Sequence, residues 1–443
     1  MHSATTNCGL IGRLNSSNAG PRLCLTKLAA GTPQTRAFCE CVGVGAIRGA
    51  LTLAVLCALL LIAAPPAQAQ TETVLYNFTG GNDGGNPEPN LTADGKGNLY
   101  GATDFGGLYG YGTVFELSPN GHGGWNETGL YNFAANVDGR FPVSPLIFDR
   151  AGNLYGATYE GGTYDQGTVF ELSPVGISWS ETILHNFEET VDGALPVSGP
   201  VMDAAGNLYG TLYQGNTNSG VVYELSPSGG SWSSKVIYTS GDNVNYPGSA
   251  GLTLDAAGNI FGVANQATVF ELSPNGKGGW NSTVIHAFPS AANAYGTFVL
   301  DHAGSLYGTT ARLGSKGHGI VYRLSLGKKG NWIQTNLYSF QAGQDGSQPF
   351  AGIVFDSAGN IYGTTRSGGA HGDGTVFELV APVGKGNYQE KVLWSFGSAD
   401  GLDPTSSLIL DSAGNLYGAT LAGGTGGICV NGNGCGVVFE VTP

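Results

Sequence analysis

The sequence has few charged residues, and most of these are acidic. Charged side chains make up 11% of the 443 residues, and 18 Lys and Arg stand against 32 Asp and Glu. A soluble domain usually carries about 25% charged residues. Nucleic-acid binding needs clustered Lys and Arg that displace counterions from phosphates. The composition therefore argues against a nucleic-acid partner.

The chain also lacks the composition of helical, collagenous and disordered proteins. There are 75 glycines but only 20 prolines, and the glycines have no Gly-X-Y period, which excludes collagen. Glycine costs roughly 1 kcal/mol per helix-interior site relative to Ala, so long helices are disfavoured. Aromatic residues make up 10% of the chain, whereas disordered chains have few. An all-β chain with many turns remains.

No apolar run reaches the roughly 20 residues that span a membrane as a helix. The longest run, residues 50–64, follows Arg48 and precedes Ala67-Gln68-Ala69, which is the pattern of a secretory signal peptide. We therefore predict a leader at residues 1–69, cleavage after Ala69, no membrane span after cleavage, and export to the periplasm, the cell surface or the medium. An uncleaved N-terminal anchor is the alternative.

Cysteine is nearly absent beyond the leader. Five of the seven cysteines precede residue 70, and only Cys429 and Cys435 follow it. In an oxidising compartment, two cysteines six residues apart in a Gly/Asn-rich loop most simply form a local disulfide. A metal-binding pair is the alternative. Residues 70–443 carry 13 basic and 31 acidic side chains, a net charge of −18.

Seven copies of one unit fill residues 70–443. The run Asn-Leu-Tyr-Gly or a close relative recurs every 46 to 55 residues. An aspartate stands six residues before each aromatic residue of this run, and a glycine stands three before it. The aspartates are Asp94, Asp149, Asp203, Asp255, Asp301, Asp356 and Asp411. Self-similarity at this period is typical of a repeat architecture.

Each unit predicts four antiparallel strands, the content of one β-propeller blade. A short apolar strand precedes the Asp-x-x-Gly-Asn turn, Leu-Tyr-Gly-Ala-Thr follows it, and Gly-Thr-Val-Phe-Glu-Leu-Ser-Pro forms the third strand. The fourth begins with an aromatic residue. The seventh unit stops at its third strand, while residues 71–78 supply an extra fourth strand. We therefore predict one domain at 70–443, a seven-bladed propeller whose N-terminal strand completes the last blade and closes the ring. An open β-solenoid is the alternative.

The units resemble a known tandem repeat. The segments D-x-A-G-N-L-Y-G and G-T-V-F-E-L-S-P are similar to the GloVer repeat of exported bacterial "choice-of-anchor" proteins, and the similarity covers residues 71–443. The resemblance implies export and a domain of propeller-like repeats. It implies no catalytic residues, because the family has no established activity to carry over.

Two sets of residues are candidates for ligand binding, both on the face that carries the blade crossovers and the loops between second and third strands. The crossovers contain Asp-Gly-x-x-Pro. A ring of their carboxylates at the channel mouth would suit Ca²⁺ or a cationic ligand, although Asp-Gly turn chemistry alone also explains the motif. Tyrosines in the variable loops could stack on sugars. These residues are Asp83, Asp138, Asp192, Asp345, Asp400, Tyr109, Tyr111, Tyr159 and Tyr164.

The sequence contains no G-x-S-x-G elbow, no H-E-x-x-H, no P-loop and, beyond the leader, no C-x-x-C pair. We therefore predict a secreted, monomeric, non-catalytic binding module for an extracellular glycan, protein or envelope component. No cofactor is predicted apart from the Ca²⁺ that the carboxylate ring would suit. The alternative is a propeller-fold polysaccharide lyase or hydrolase that uses the acidic channel mouth.

Overall fold

The computed structural model describes most of the repeat region and two short strands before it. Within residues 70–443 it describes all positions except 136, 216–218, 241–250, 290–291, 385, 428 and 430–431. Residues 1–69 form a separate compact unit, in which Arg22–Leu25 and Glu40–Gly43 pair antiparallel. The predicted apolar core at 50–64 and the cleavage site after Ala69 lie outside the described residues.

Residues 70–443 form seven antiparallel sheets arranged as a seven-bladed β-propeller, which confirms the predicted fold class. In each sheet the strands lie side by side in the order first, second, third, fourth. In blades 1 and 3 the first strand is divided into two segments that both pair with the second strand. The predicted first strand of blade 2, residues 145–148, begins earlier than expected, at Arg140.

The strand bounds are given blade by blade, from first to fourth strand. Blade 1 has Gly85–Pro87 with Thr92–Ala93, Leu99–Phe105, Thr113–Pro119 and Trp125–Asn132; blade 2 has Arg140–Phe148, Leu154–Glu160, Thr168–Val175 and Ser178–Asn186; blade 3 has Ala194–Pro196 with Val201–Met202, Leu208–Gln214, Val221–Ser228 and Ser231–Thr239; blade 4 has Thr253–Leu254, Ile260–Ala264, Thr268–Pro274 and Trp280–Ala287. Blade 5 has Val299–Leu300, Leu306–Thr310, Ile320–Leu326 and Trp332–Ser339; blade 6 has Val354–Phe355, Ile361–Thr365, Thr375–Val380 and Gln389–Ser395; blade 7 has Ile409–Leu410, Leu416–Thr420, Val437–Thr442 and Thr71–Asn77. A 3₁₀ turn covers Gly343–Asp345.

The repeated aspartate builds the hairpin between the first and second strands. In blade 2, Asp149 accepts hydrogen bonds from the backbone N–H groups of Ala151 and Asn153 at 2.8 and 2.9 Å, and from the Tyr155 hydroxyl at 3.2 Å. Gly152 takes the left-handed conformation, with φ of 90°, that the turn requires. The marker residues Asp, Gly, Asn and Tyr are therefore all explained by one local turn on the face opposite the crossovers.

The core consists of seven apolar clusters, one between each pair of neighbouring blades. Blades 1 and 2, for example, meet through Tyr100, Phe133 and Phe170, and blades 7 and 1 meet through Phe78, Phe115 and Val438. The remaining five clusters join blades 2 to 3, 3 to 4, 4 to 5, 5 to 6 and 6 to 7. The second and third strands hold most of the buried strand residues, because neighbouring blades pack against both of their faces.

Blade 7 is assembled from both ends of the repeat region. Its fourth strand, Thr71–Asn77, pairs antiparallel with Val437–Thr442, and Val74 lies opposite Phe439. The loop from Thr420 to Val437 continues over the crossover that follows this strand. It holds a disulfide between Cys429 and Cys435, whose Cα atoms are 4.9 Å apart. The Cys435 carbonyl accepts a 2.8 Å hydrogen bond from the N–H of Asn86, so the disulfide loop is joined directly to blade 1.

Candidate functional site

The five crossover aspartates hold turns at the blade junctions. Asp138 accepts hydrogen bonds from the Tyr131 hydroxyl at 3.0 Å and from the N–H of Ala134 at 2.9 Å. The same arrangement, a side chain near the end of the preceding fourth strand and a backbone N–H of the turn, recurs at Asp83 with Tyr76, Asp192 with His185, Asp345 with Tyr338 and Asp400 with Trp394. These carboxylates therefore interact with the fourth strands, as the turn interpretation of the motif predicts.

The predicted ring of carboxylates around the channel mouth stays a prediction. A cavity of about 150 Å³ lies where residues of blades 1, 3, 5, 6 and 7 meet. Glu88 is the acidic residue in this lining, and none of the five aspartates, all of which are described, belongs to it. In the described part of the chain, no three His, Cys, Asp or Glu side chains are grouped so as to hold a metal ion. The calcium hypothesis therefore rests on the sequence pattern alone.

Four of the aspartates instead lie near a glutamate on the fourth strand of the next blade. Burial, and to a smaller extent the charge of the nearby aspartate, raises the pKa of each glutamate to about 7. Among the described residues, one buried oxygen of each glutamate has no hydrogen-bond partner. The pairs are Glu72 with Asp400, Glu127 with Asp83, Glu181 with Asp138 and Glu390 with Asp345.

The crossover motif also contacts the preceding blade, through its proline and through a backbone hydrogen bond. In blade 2, Pro142 packs so closely on Gly112 that a side chain at the glycine would collide with the proline ring. The residue before the proline, Phe141, has a left-handed backbone with φ of 56°, and its N–H donates a 2.9 Å hydrogen bond to the carbonyl of Tyr111. A left-handed non-glycine residue is strained and persists only where its surroundings fix it.

This left-handed position carries a different side chain in each of the five blades where the structure shows it. The backbone conformation recurs immediately before the crossover proline, with φ between 55° and 61°, at Asn86, Phe141, Leu195, Gln348 and Asp403. The neighbouring motif residues and the backbone form the contact between blades, so the side chain at this position can change without disturbing that contact. It therefore presents variable chemistry from a fixed backbone, as a recognition surface requires.

One groove on this face combines such a residue with further aromatic rings. It has a volume of about 410 Å³ and is formed by blades 1, 2 and 3. We call it the blade 1–3 groove, and its lining residues are Glu88, Asp104, Phe105, Phe141, Val143, Tyr159, Glu160 and Val197. Phe105 and Phe141 meet edge to face, with ring centroids 5.6 Å apart. A concave, mainly apolar site with a few polar groups is the usual form of a small-ligand site.

The groove contains a carboxyl group with a raised pKa and, beside it, a network of ion pairs. Burial raises the pKa of Asp104, at the end of the second strand of blade 1, to about 6. Arg140 lies over the Phe141 ring at 5.8 Å and forms ion pairs with Glu160 at 2.8 Å and Asp165 at 3.2 Å. A carboxyl group whose pKa is perturbed and which lies in a cleft is a candidate functional residue. Arg140, by contrast, is already paired and holds Phe141 in place.

Comparison with protein families identifies the repeat. The profile of the Gloeobacter/Verrucomicrobia repeat matches residues 63–267 and 261–443. The chain belongs to this family. The match includes every blade, so the Gloeobacter/Verrucomicrobia repeat supplies both the turn-forming aspartates and the crossover prolines. No curated protein matches the chain.

Several solved structures are similar to this repeat protein at low identity. A Thermus thermophilus protein assigned to the oxidoreductases (glucose dehydrogenase) is 14% identical with a TM-score of 0.41, over 84% of this chain and 100% of its own. PorZ, a surface component of the type-IX secretion system of Porphyromonas gingivalis, is 15% identical with a TM-score of 0.40, over 74% of this chain and 44% of its own. A Dyadobacter fermentans protein of unknown function is 10% identical with a TM-score of 0.42, over 84% of this chain and 98% of its own. Similarity of this extent carries no argument about function.

The four tyrosines predicted from the variable loops of the Gloeobacter/Verrucomicrobia repeat have different environments. Tyr159 lines the groove. Tyr111 lies beside it, with its ring centroid 6.5 Å from that of Phe141. Tyr109 and Tyr164 are 56% and 51% exposed and are not in the lining. Sequence reasoning missed Phe105, Phe141 and Asp104. For Phe141, the signal available in the sequence was its place before a crossover proline, where the residue type varies between blades.

No helix in the described part of this repeat protein is long and apolar enough to cross a membrane.

Proposed function

We propose that this protein is an exported, non-catalytic binding module that holds an extracellular carbohydrate in the blade 1–3 groove. The observation that carries the proposal is the convergence of Phe105, Phe141 and Tyr159 with carboxyl groups in one cleft on the variable face. Export is supported by the signal-like segment at 50–64 and by the Cys429–Cys435 disulfide, since disulfides persist in oxidising compartments.

The groove offers both an aromatic surface and hydrogen-bonding groups, and a sugar ring needs both. The C–H faces of a pyranose are apolar and pack on aromatic rings, while its hydroxyl groups need hydrogen-bond acceptors and donors. Phe141 is fixed by its backbone hydrogen bond to Tyr111 and by Arg140 over its ring, so little conformational entropy is lost when a ligand packs against it. Glu88, Asp104 and Glu160 supply the acceptors.

The test is a glycan array with the full chain, followed by affinity measurements on two groove variants. We expect Phe141→Ala and Tyr159→Ala each to weaken binding of a captured glycan roughly tenfold or more, because each removes an aromatic contact worth about 1.5 kcal/mol. Leu195→Ala is the matched control, since Leu195 has the same left-handed backbone, with φ of 61°, and lies outside the groove lining.

The control variant should bind like the unmodified protein. Equal losses in all three variants would show that the crossover backbone, rather than the groove, is being disturbed. A blank array at high protein concentration would remove the proposal altogether.

A second candidate, a carbohydrate-cleaving enzyme, is favoured by one observation. Burial raises the pKa of Asp104 to about 6, and Asp104 shares the groove with Glu88 and Glu160; two carboxyl groups in one cleft can perform acid–base cleavage of glycosides. If this candidate holds, an array ligand incubated with the protein gives shortened products by mass spectrometry, and Asp104→Asn lowers the rate at least about 100-fold. Unchanged ligand after prolonged incubation would exclude it.

A further inference from the structure

The carboxyl groups of the groove differ in their surroundings. Three carboxyl side chains line it, those of Glu88, Asp104 and Glu160. Of these, Glu160 is neutralised by Arg140, whose guanidinium group also pairs with Asp165. Burial is the cause that raises the pKa of Asp104, and no basic group among the described residues contributes to it. Asp104 is therefore a carboxyl group whose ionised form lacks compensation by a nearby cation in the described part of the chain.

The aromatic rings of the groove provide a surface that attracts positive charge. The face of an aromatic ring carries negative charge density and binds ammonium and guanidinium groups, with energies that increase as water is excluded. The Arg140 guanidinium already lies over Phe141 at 5.8 Å. Phe105 and Tyr159 line the same cleft as Asp104.

We propose that the groove selects a carbohydrate that bears a free amino group, with the ammonium group bound by Asp104 beside the Phe105 and Tyr159 rings. This inference rests on the proposed function and names its ligand class, an amino sugar that is not N-acetylated. The sugar ring packs on Phe141, and the ammonium group donates charge-assisted hydrogen bonds to the carboxylate. Acetylation of the nitrogen removes its charge, and with it the charge-assisted hydrogen bonds to Asp104 and the attraction to the Phe105 and Tyr159 rings.

The carboxylate supports this choice of ligand over a neutral sugar. Placing an ionised carboxyl group in an apolar cleft has a cost that a bound cation offsets, whereas a neutral hydroxyl group offsets it only in part. The polar and ionisable groups that line the groove together with Asp104 are Glu88, which directly follows the Gly85–Pro87 strand of blade 1, and Tyr159 and Glu160 on the second strand of blade 2. None of them is basic, so the ligand would provide the cation.

The experiment compares two oligosaccharides that differ in one group, a glucosamine tetramer and the corresponding N-acetylglucosamine tetramer, by titration calorimetry near neutral pH. We expect the glucosamine tetramer to bind at least tenfold more tightly, and this preference to weaken as salt is added. Asp104→Asn should remove the preference while the protein stays folded. Asp403→Asn, which alters a loop-face carboxylate paired with Arg366 outside the groove, should leave the preference intact.

The outcomes separate this inference from the proposed function. Equal affinity for the two tetramers, or a preference that survives in Asp104→Asn, overturns the amino-sugar inference and leaves carbohydrate binding standing. Absence of binding to both tetramers, together with a blank glycan array, overturns both.

Discussion

Deletion of residues 70–77 should leave a chain that no longer folds cooperatively at room temperature. The deletion removes the fourth strand of blade 7 and exposes the edge of Val437–Thr442, which an open sheet cannot leave unpaired without risk of aggregation. Phe78, which is fully buried against Phe115 with ring centroids 5.1 Å apart, also loses its anchor. If the Phe78 ring leaves its buried position, the lost contacts cost up to about 3–5 kcal/mol, the range for truncating a buried Phe, which is a large part of the stability of most domains.

Circular dichroism and a thermal scan would measure this effect. A synthetic peptide of residues 70–77 offers a matched rescue, because it restores the hydrogen bonds of the missing strand. We expect the peptide to restore a cooperative transition when added in excess, and a scrambled peptide of the same composition to fail. A deleted chain that keeps the melting temperature of the full protein would show that the ring is stable without this strand.

Raising the pH from about 5 to about 8.5 should lower the melting temperature, through the four Glu–Asp pairs at the blade junctions. Each glutamate has a pKa of about 7 in the folded protein, above its ordinary value of 4.5. Folding therefore favours the protonated form. The stability that these groups contribute is complete below about pH 4.5 and is lost as the pH rises through about 7.

The effect of pH on the melting temperature is reduced because these glutamate side chains are partly exposed. After allowance for solvent screening, we assign about 1 kcal/mol to each pair, which for a domain of this size corresponds to a decrease of roughly 5 °C or more for all four. The hairpin aspartates act in a separate pH range. Burial opposes ionisation there, but hydrogen bonds from the turn outweigh it and lower the pKa of six of them overall, so their contribution to stability is lost only in stronger acid. These six are Asp94, Asp149, Asp203, Asp301, Asp356 and Asp411.

Thermal scans over this pH range, with the variants below, test the assignment. The first variant replaces four glutamates with Gln, at Glu72, Glu127, Glu181 and Glu390. Its melting temperature should be nearly independent of pH above about 5, and at pH 8.5 it should be higher than that of the unmodified protein. Glu181→Gln alone should remove about a quarter of the slope. A fourfold variant with an unchanged slope would place the titrating groups elsewhere.

Most of the fold could be predicted from the sequence because its signals are local and repeated. Asp149, Gly152 and Tyr155 form a turn within seven residues, and six other copies of the motif indicate the same turn. The alternation in the third strands and the extra strand at residues 71–78 predicted the blade count and the composition of blade 7. The Asp-Gly-x-x-Pro motif is visible in the sequence too, but it predicts a turn and a ligand site equally well, because a carboxylate that holds a turn and one that binds a ligand look alike in a sequence.

The sequence by itself determined the class of protein, the number of blades, the turns and the face that varies. Only the tertiary structure decided which side chains share a site, because the packing of one sheet on the next brings Phe141 of blade 2 to Asp104 and Phe105 of blade 1. It also decided that Phe141 has a left-handed backbone, which the hydrogen bond to Tyr111 in the preceding blade fixes against the ordinary preference of a phenylalanine. The carboxyl pairs at the junctions have the same origin, since Glu181 and Asp138 meet only when two blades are in contact. A repeat encodes each blade locally, whereas the groove depends on contacts between blades.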